Sequence, residues 1–362
     1  MEHLQYKRFA NVNLNDPFFD SLKASYQEFS DWFRRKANES AYVFYGERGL
    51  IDGFLYLKAE SAIIDDCTPN LMADKNGRGW LKVGTLKINA HGTKLGERFI
   101  KKIFDYAITH EFRDIYVTVF AQHDSLIALF ERYGFIKEAE KTTQNGTELV
   151  LTRRLYLIYA GVENVIKNYP IANFRGDSTY QPRSYLLSLY PKWHTRLLPD
   201  SILHNENASI IQDVSPTNSI HKVYLTAMAG VDQLRRGDIL FIYRTSDGKG
   251  PADYRSLISS VCVVEEYRHI SSFSNYAEFE KYCAVYSIFS RNELQEFWVG
   301  RRYPYVFKFS YNIAFPKRII RKDLLEQVGL KASEYFGFMP LTPQQAAHIL
   351  RLGYVNKSFI IH

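Results

Sequence analysis

The fold of this chain is decided by the stretch from Leu86 to Phe135, LKINAHGTKLGERFIKKIFDYAITHEFRDIYVTVFAQHDSLIALFERYGF. An apolar strand leads into a turn that contains Gly92 and Gly96. Apolar residues then recur at helical spacing from Phe99 to Ile108, which predicts an amphipathic helix. The run DIYVTVF at 114–120 is β-branched and aromatic and predicts a second strand. Backbone N–H groups at a turn that opens a helix suit phosphate oxygens, so we expect an anion to bind there.

This order of elements resembles the acetyl-CoA-binding half of the GNAT acetyltransferase superfamily. In that family a loop of pattern Arg/Gln-x-x-Gly-x-Gly/Ala opens a helix over the pyrophosphate of the cofactor. The loop falls here on HGTKLG, with His91 at the Arg/Gln position and Lys94 at the position of the middle glycine. Because Lys94 carries a Cβ atom, we expect an ordinary φ angle there, and its ammonium group would serve the pyrophosphate as a charged donor. Gly96 would let the cofactor approach the helix start closely.

The end of the stretch carries most of the resemblance. GNAT proteins close the next helix with an aromatic residue, three further residues and Gly-Phe, and SLIALFERYGF reproduces this ending through Phe130, Gly134 and Phe135. The aromatic residue is usually a Tyr that acts as the general acid. Phe130 has no proton to donate, and Tyr133 points to a different side of the helix. The resemblance therefore identifies no general acid in this chain.

The resemblance also implies the residues of the site. A backbone N–H at the end of the strand LKI, from Ile88 or Asn89, would polarise the thioester carbonyl. Glu60 is the best-placed carboxylate for a general base, although a solvated or ion-paired carboxylate is the simpler interpretation, and an amine of low pKa would need no base. His123 would contact the pantetheine arm or lie exposed at a strand end. The residues expected to bind acetyl-CoA are Ile88, His91, Gly92, Thr93, Lys94, Leu95, Gly96, Glu97, His123 and Phe130.

Composition sets the remaining bounds. With 362 residues, 46% of them hydrophobic, the chain is long enough for two domains. It has no apolar run of membrane-spanning length and no apolar signal-peptide core, so no membrane association is expected. Three scattered cysteines exclude a disulfide framework and a CxxC metal site, which predicts buried thiols, no metal and a cytoplasmic location. A net charge of +7 permits a nucleic-acid partner without requiring one.

The chain is predicted to be an α+β protein of two domains. Residues 1–155 follow the GNAT order and should form a mixed central sheet with flanking helices, closed by a hairpin at Asn145-Gly146. Residues 156–219 are either a connecting segment or the start of the second domain. Residues 220–362 contain short strands separated by Gly/Asp turns, which predicts a small β-barrel.

The second domain resembles the PUA-like superfamily, in its ASCH and EVE branches. The resemblance rests on RRGDILFIYRT at 235–245 and on LTPQQAAHILRL, where Thr342, Pro343 and Gln345 predict a capped helix. The phrase YPKWHTRLLPD at 190–200 looks like part of the same pattern. Similar bacterial proteins fuse a GNAT domain to a PUA-like domain, and some are toxins of toxin–antitoxin modules. The resemblance implies RNA or charged tRNA, an antitoxin protein and a second copy of the chain as partners.

The predicted nucleic-acid surface of the second domain combines arginine with an aromatic side chain, because such patches grip phosphates and stack bases. Its candidate residues are Arg235, Arg236, Arg244, Arg301, Arg302 and Trp298. A solvated basic face over core aromatics is the simpler interpretation of any single residue among them.

Three functions remain open from the sequence. The favoured one is an acetyl-CoA-dependent N-acetyltransferase that acts on an RNA-linked amine such as aminoacyl-tRNA, with the PUA-like domain holding the nucleic acid. The second is a protein or small-molecule N-acetyltransferase with a structural second domain. The third is a degenerate GNAT domain that serves as a nucleic-acid-binding module, which would account for Lys94 and Phe130.

Overall fold

Two units make up the chain in the computed structural model, Met1–Ile158 and Tyr159–His362. The structure describes residues 4–46, 49–89, 91–204, 206–207 and 210–361. The strands are β1 (Leu4–Arg8), β2 (Ser40–Tyr45), β3 (Ile51–Glu60), β4 (Ile63–Ile64), β5 (Leu71–Met72), β6 (Trp80–Ile88), β7 (Asp114–Phe120), β8 (Ile136–Thr143), β9 (Gly146–Arg154), β10 (Ala172–Asn173), β11 (Ser184–Leu189), β12 (His221–Thr226), β13 (Ile239–Arg244), β14 (Leu257–His269), β15 (Tyr305–Ile320), β16 (Phe338–Leu341) and β17 (Ile360–Ile361).

The helices are α1 (Asp20–Ser25), α2 (Phe29–Arg35), α3 (Leu95–Thr109), α4 (Asp124–Arg132), α5 (Pro191–Leu197), α6 (Ser215–Asn218), α7 (Ala252–Arg255), α8 (Tyr276–Cys283), α9 (Arg291–Gly300), α10 (Arg321–Asp323) and α11 (Pro343–Leu352). Within the described ranges, no helix has the length and apolar character that crossing a bilayer requires.

The first unit is built on a seven-stranded sheet of order β1-β2-β3-β6-β7-β9-β8. Only β6 and β7 pair in parallel, so the predicted mixed sheet is confirmed. A short 3-10 turn over Pro17–Phe19 leads into α1, and the Asp16 carboxylate caps it by accepting a hydrogen bond of 2.9 Å from the Phe18 N–H. The edge strand β1 was not predicted, and its mixed exposure explains why no apolar alternation marked it.

Helices cover both faces of this sheet, because neighbouring residues of a strand point to opposite sides. On one face Phe54 packs in an aromatic cluster with Phe29 and Phe33, which belong to α2. On the other face lies Gly53, where a Cβ atom would stand 2.4 Å from Cε2 of Phe99 in α3. The helix predicted to follow the glycine turn therefore packs closely over β3.

The parallel strands β6 and β7 separate before they end. Their pairing runs from Trp80 opposite Asp114 to Val83 opposite Val117, although both strands continue beyond it. A β-bulge at the point of separation inserts Gly84 into β6, since Tyr56 and Leu57 of β3 pair with residues on either side of it. Bulges bend a strand and increase its twist. The two halves of the sheet consequently diverge and leave a split between them.

The second unit is built on a six-stranded sheet of order β12-β15-β14-β13-β11-β16. Within the described part of the chain no pairing joins β12 to β16, so the sheet is open and the predicted closed barrel is not confirmed. Bulges along β14 and β15 bend the sheet over an apolar core. Strand β11 lies inside this sheet, within the region that was expected to connect two domains or begin the second.

Two local predictions for the second unit hold. Thr342 and Gln345 form a capping box at the start of α11, with Pro343 in its first turn. Cys262 and Cys283 are buried free thiols, as is Cys67 in the first unit. The 16-residue strand β15 was missed, because Asn312 and Pro316, which are uncommon in strand interiors, interrupt its apolar residues.

Candidate active site

The split between β6 and β7 forms a cleft of about 770 Å³ within the first unit. It brings together most of the residues that the sequence proposed for the site. Those that line it are Glu60, Ile88, Asn89, His91, Gly92, Thr93, Lys94, Leu95, Gly96 and His123.

The loop before α3 lines the cleft and holds an unusual backbone conformation. Lys94 adopts φ 58° and ψ 25°, in the left-handed region, so the expectation of an ordinary φ angle is wrong. A non-glycine residue in this conformation costs about 1–2 kcal/mol. His91 Nδ1 lies 2.9 Å from the Asn89 carbonyl oxygen, and its Nε2 lies 3.4 Å from Thr93 Oγ1. These contacts hold the loop against the end of β6, with the first N–H groups of α3 following it.

Gly96 packs α3 against α4. A Cβ atom at this position would stand 2.9 Å from Cδ2 of Leu129 and 3.6 Å from Cδ1 of Ile88. The sequence assigned this glycine to a close approach of the cofactor, whereas the structure shows a close approach of two helices. Both contacted side chains line the cleft, so Gly96 also fixes the position of its wall.

Two predicted cofactor contacts lie in the core, outside the lining of the cleft. Phe130 is fully buried and packs edge-on against Phe135, with ring centroids 4.8 Å apart. Glu97 is buried, and its carboxylate lies 3.6 Å from the guanidinium of Arg132. Both predictions are corrected here, because each residue faces the packed side of its helix. Tyr133 is fully buried as well.

The unpaired edge of β6 presents backbone donors to the split. The Asn89 N–H donates a hydrogen bond of 2.9 Å to the Asp52 carbonyl oxygen on the β3 side. Antiparallel pairing alternates, so the N–H groups of Leu86 and Ile88 point away from β3, toward the side that β7 has left. Of the two residues predicted to polarise a carbonyl, Ile88 therefore has its N–H directed to the split, whereas the N–H of Asn89 is engaged by Asp52.

Charged side chains of β3 and β6 also line the cleft. Glu60 lines the cleft and forms an ion pair of 2.8 Å with Lys58, which agrees with the simpler interpretation given to it. Lys82 also lines the cleft, and burial, followed by the charge of Lys141, lowers its pKa. Sequence analysis gave no signal for Lys82.

A second carboxylate in the cleft was missed by the sequence. Glu148 of β9 is only 6% exposed and accepts a hydrogen bond of 3.0 Å from the hydroxyl of Tyr26. The Tyr26 ring stacks on Phe120 at 5.6 Å. Burial, and then the charge of Glu148, raises the pKa of Tyr26, which keeps its hydroxyl protonated as the donor. The available signal was that Glu148 shares a strand face with buried Val150 two residues later.

The loop and the Glu148–Tyr26 pair lie on opposite faces of the sheet. Ile88 is paired with Gly53 and shares its α3 side. The next residue inward, Lys87, donates from Nζ to Ser21 Oγ at 2.6 Å and so faces α1. Tyr26, which connects α1 and α2, reaches Glu148 on that same face. The cleft thus passes through the sheet and has one opening toward the loop before α3 and another toward a buried carboxylate.

The predicted nucleic-acid residues of the second unit divide into two groups. Arg244 is 5% exposed and ion-paired with Glu206 at 3.1 Å, which removes it from any exposed surface. Arg236 is exposed but donates to the backbone carbonyls of Val162 at 3.0 Å and Glu163 at 2.9 Å. These two arginines therefore stabilise the unit itself.

The other four residues remain compatible with a surface role. Arg301 is exposed and its guanidinium lies 3.8 Å from the ring centroid of Trp298, at the end of α9. Arg302 beside it is exposed and faces Tyr303. Arg235 is exposed on a turn before β13. Trp298 is half-buried, so it is partly a packing residue.

No protein-family model matches the chain, and no curated protein matches it by sequence. Many solved structures are similar to parts of it, including the following three. A GNAT superfamily phosphinothricin acetyltransferase from Sinorhizobium meliloti, in complex with AcCoA, matches 42% of this chain and 88% of its own at 14% identity and a TM-score of 0.30. A spermidine N-acetyltransferase mutant from Vibrio cholerae matches 42% of this chain and 94% of its own at 12% identity and a TM-score of 0.30. A mutant ZmASCH protein from Zymomonas mobilis matches 47% of this chain and 96% of its own at 10% identity and a TM-score of 0.31.

Proposed function

We propose that this chain is an acetyl-CoA-dependent N-acetyltransferase with its active site in the cleft of the first unit. One observation carries the proposal. The pairing of β6 and β7 stops at Val83 and Val117, and the resulting split joins an anion-binding loop on one face of the sheet to a buried carboxylate on the other. This is the arrangement that transfer from an anionic donor to an amine requires.

The residues of the cleft fit acetyl-CoA. The backbone N–H groups from Gly92 to Gly96 and the positive end of the 15-residue helix α3 suit its diphosphate, supported by the Lys94 ammonium. The edge of β6 from Gly84 to Ile88 offers hydrogen-bonding groups to the amides of the pantetheine arm. Leu126 and Leu129 supply an apolar wall. When bound, acetyl-CoA supplies an activated acetyl thioester.

The residues of the chain then have defined tasks. The Ile88 N–H, which points into the split, stabilises negative charge that develops on the thioester oxygen. No protein acid is needed for the departing thiolate, because a thiol has a pKa of about 8.5 and leaves readily near neutral pH. The burial of Phe130 and Tyr133 is consistent with a reaction that uses no aromatic proton donor.

Isothermal titration calorimetry with acetyl-CoA tests the first step, and release of free CoA in the presence of amines tests the second. We expect binding and amine-dependent thiol release. Binding without thiol release would instead support a non-catalytic module. The absence of acetyl-CoA binding would refute the proposal.

The acceptor that we favour remains an RNA-linked amine such as the aminoacyl end of charged tRNA. The support is the exposed pair Arg301 and Arg302 beside Trp298, together with the net charge of +7. Incubation with radiolabelled acetyl-CoA and charged tRNA should label the RNA fraction, and Arg301→Ala with Arg302→Ala should reduce labelling without affecting acetyl-CoA binding. Labelling of protein or small amines alone would favour the second function. The antitoxin and the homodimer stay predictions from the resemblance.

A further inference from the structure

Glu148 is a buried carboxylate without a cationic partner in the described part of the chain. Its one polar contact there is the hydroxyl of Tyr26 at 3.0 Å. The residue that would be its natural partner is Lys141, which lies directly opposite it on β8. The Lys141 ammonium instead forms an ion pair with Asp66. The negative charge of Glu148 is therefore left facing the cleft.

A buried carboxylate without an opposite charge beside it lowers the stability of the folded protein. A buried charge loses its hydration and is normally compensated by an opposite charge. Glu148 is 6% exposed and lines the cleft, so a cation that enters the cleft can provide this compensation. Two aromatic rings lie beside it, since Tyr26 stacks on Phe120 at 5.6 Å and Phe120 is paired with Glu148. Aromatic faces attract cations, so the rings of Tyr26 and Phe120 favour a positive ligand beside Glu148, in a cleft that lysines also line at positions 36, 58, 82, 87 and 94.

The position of Glu148 relates it to the acyl-transfer chemistry. It is paired with Phe120, the last residue of β7, while Ile88 is the last residue of β6. Both residues therefore stand at the wide end of the split. Ile88 presents its N–H group there, and Glu148 approaches from the α1–α2 face. An amine held by Glu148 would reach a thioester in the split from the side opposite the diphosphate loop.

We propose that Glu148 binds the ammonium group of the acceptor and takes its proton during acetyl transfer, and that Tyr26 is a positioning residue for its carboxylate. This inference rests on the proposed acetyltransferase function. It assigns the acceptor to cationic amines that carry no anionic group beside the amine, because a neighbouring carboxylate would be repelled by Glu148. Amino-acid esters belong to this class and free amino acids do not.

The step balances as follows. Glu148 takes one proton from the ammonium group, which frees the nitrogen lone pair. The nitrogen forms a bond to the thioester carbon, the carbon–sulfur bond breaks, and its electron pair leaves with the CoA sulfur. The acylated nitrogen then loses its second proton, which solvent carries to the CoA thiolate, and Glu148 releases the first proton to solvent. The products are the N-acetyl amine, CoA as its thiol and one proton.

The test compares phenylalanine methyl ester with free phenylalanine as acceptors, in purified full-length protein. The wild type should turn over the ester at least about tenfold faster than the free amino acid. Glu148→Gln should lower kcat/KM for the ester by about 100-fold, the low end of a general base contribution, and should abolish the discrimination against the carboxylate. Tyr26→Phe keeps the ring on Phe120 and should reduce kcat/KM about tenfold while keeping the discrimination.

Glu131→Gln, on the exposed side of α4, is the matched control and should behave as the wild type. Calorimetry of each variant with acetyl-CoA distinguishes a failure of the acetyltransferase function from a failure of the role proposed for Glu148. Failure of the wild type to bind acetyl-CoA would overturn the acetyltransferase function and this inference with it. Normal binding and turnover in Glu148→Gln, with the discrimination intact, would overturn the inference alone. If Glu148→Gln does not fold, Glu148→Asp and Tyr26→Phe decide, and wild-type rates in both would count against it.

Discussion

At the scale of single residues, three side chains lie in environments that are unusual for their residue type. Lys94 holds a left-handed conformation that lysine rarely adopts. Glu148 holds a buried charge. In the second unit His194 is fully buried and lies 2.7 Å from the hydroxyl oxygen of Ser259. Each departure leads to a measurable expectation.

Lys94→Gly should raise the free energy of unfolding of the first unit by about 0.5–1 kcal/mol. Glycine removes a backbone strain of about 1–2 kcal/mol at φ 58°. Part of this gain is offset, because glycine also increases the conformational entropy of the unfolded chain. Urea denaturation measures the difference. Lys94→Ala is the matched control, because it removes the charge and keeps the Cβ atom. A glycine variant less stable than the alanine variant would contradict this account of the loop.

His194 should make the second unit sensitive to acid. Burial, and then the charges of Arg244 and Arg318, lowers the pKa of His194 from 6.5 to about 3. Between these values the unfolded chain binds a proton that the folded unit does not. The stabilisation is therefore complete above pH 6.5 and is lost as the pH falls toward 3, with a slope of up to about 1.4 kcal/mol per pH unit.

The measurement is denaturation of the wild type and His194→Gln between pH 7 and pH 4. The variant should lose this part of the slope, since glutamine can still contact Ser259 but does not titrate. His204→Gln, at an exposed position, should leave the slope unchanged. Equal slopes in the wild type and His194→Gln would show that His194 is protonated in the folded unit.

At the scale of elements, the sequence predicted those whose periodicity is strong. Helices α3 and α4, strand β7 and the final hairpin were all expected from their apolar spacing and turn residues, and all are present. The separation of β6 from β7 has no such local signal. The split depends on where the pairing of the two strands stops. The sequence of either strand alone does not predict this point.

The buried pair in the cleft shows the same limit. Tyr26 and Glu148 are 122 positions apart. They meet only because α1 and α2 cover the face of the sheet to which Glu148 of β9 points. Lys94 illustrates the converse, because its φ angle is set by the loop that it closes and overrides the preference of its own side chain. Local patterns therefore predicted the elements, whereas the chemistry lies where distant elements meet.

Gly84→Ala tests whether the bulge creates the split. The new Cβ atom would stand 2.7 Å from the ring of Tyr56, whose hydroxyl is hydrogen-bonded to Glu39, so the ring has little freedom to move. We expect a loss of about 1–3 kcal/mol in stability from overpacking, and weaker acetyl-CoA binding by calorimetry. Gly300→Ala, where a Cβ atom meets nothing within 4 Å, is the control and should be neutral. Unchanged stability and affinity in Gly84→Ala would show that the bulge tolerates a side chain.

At the scale of the whole molecule, two units each have their own core. The first unit packs the aromatic cluster around Phe54, and the second packs a separate apolar cluster around its six-stranded sheet. The proposed acetyl-CoA site lies in the first unit, and the buried His194 lies in the second. Ligand and pH should consequently act on different parts of the chain.

Differential scanning calorimetry is expected to show two transitions that respond separately. Acetyl-CoA at 100 times its dissociation constant should stabilise the first unit by about 2.7 kcal/mol, because a ligand that binds only the folded state shifts the unfolding equilibrium. Lowering the pH from 7 to 5 should lower the midpoint temperature of the other transition, which is the unfolding of the unit that contains His194. Gly84→Ala assigns the transitions independently, since it should lower only the one that acetyl-CoA raises. A single transition that moves as a whole with ligand, pH and substitution would mean that the two cores unfold together, and acetyl-CoA would then also protect the second unit.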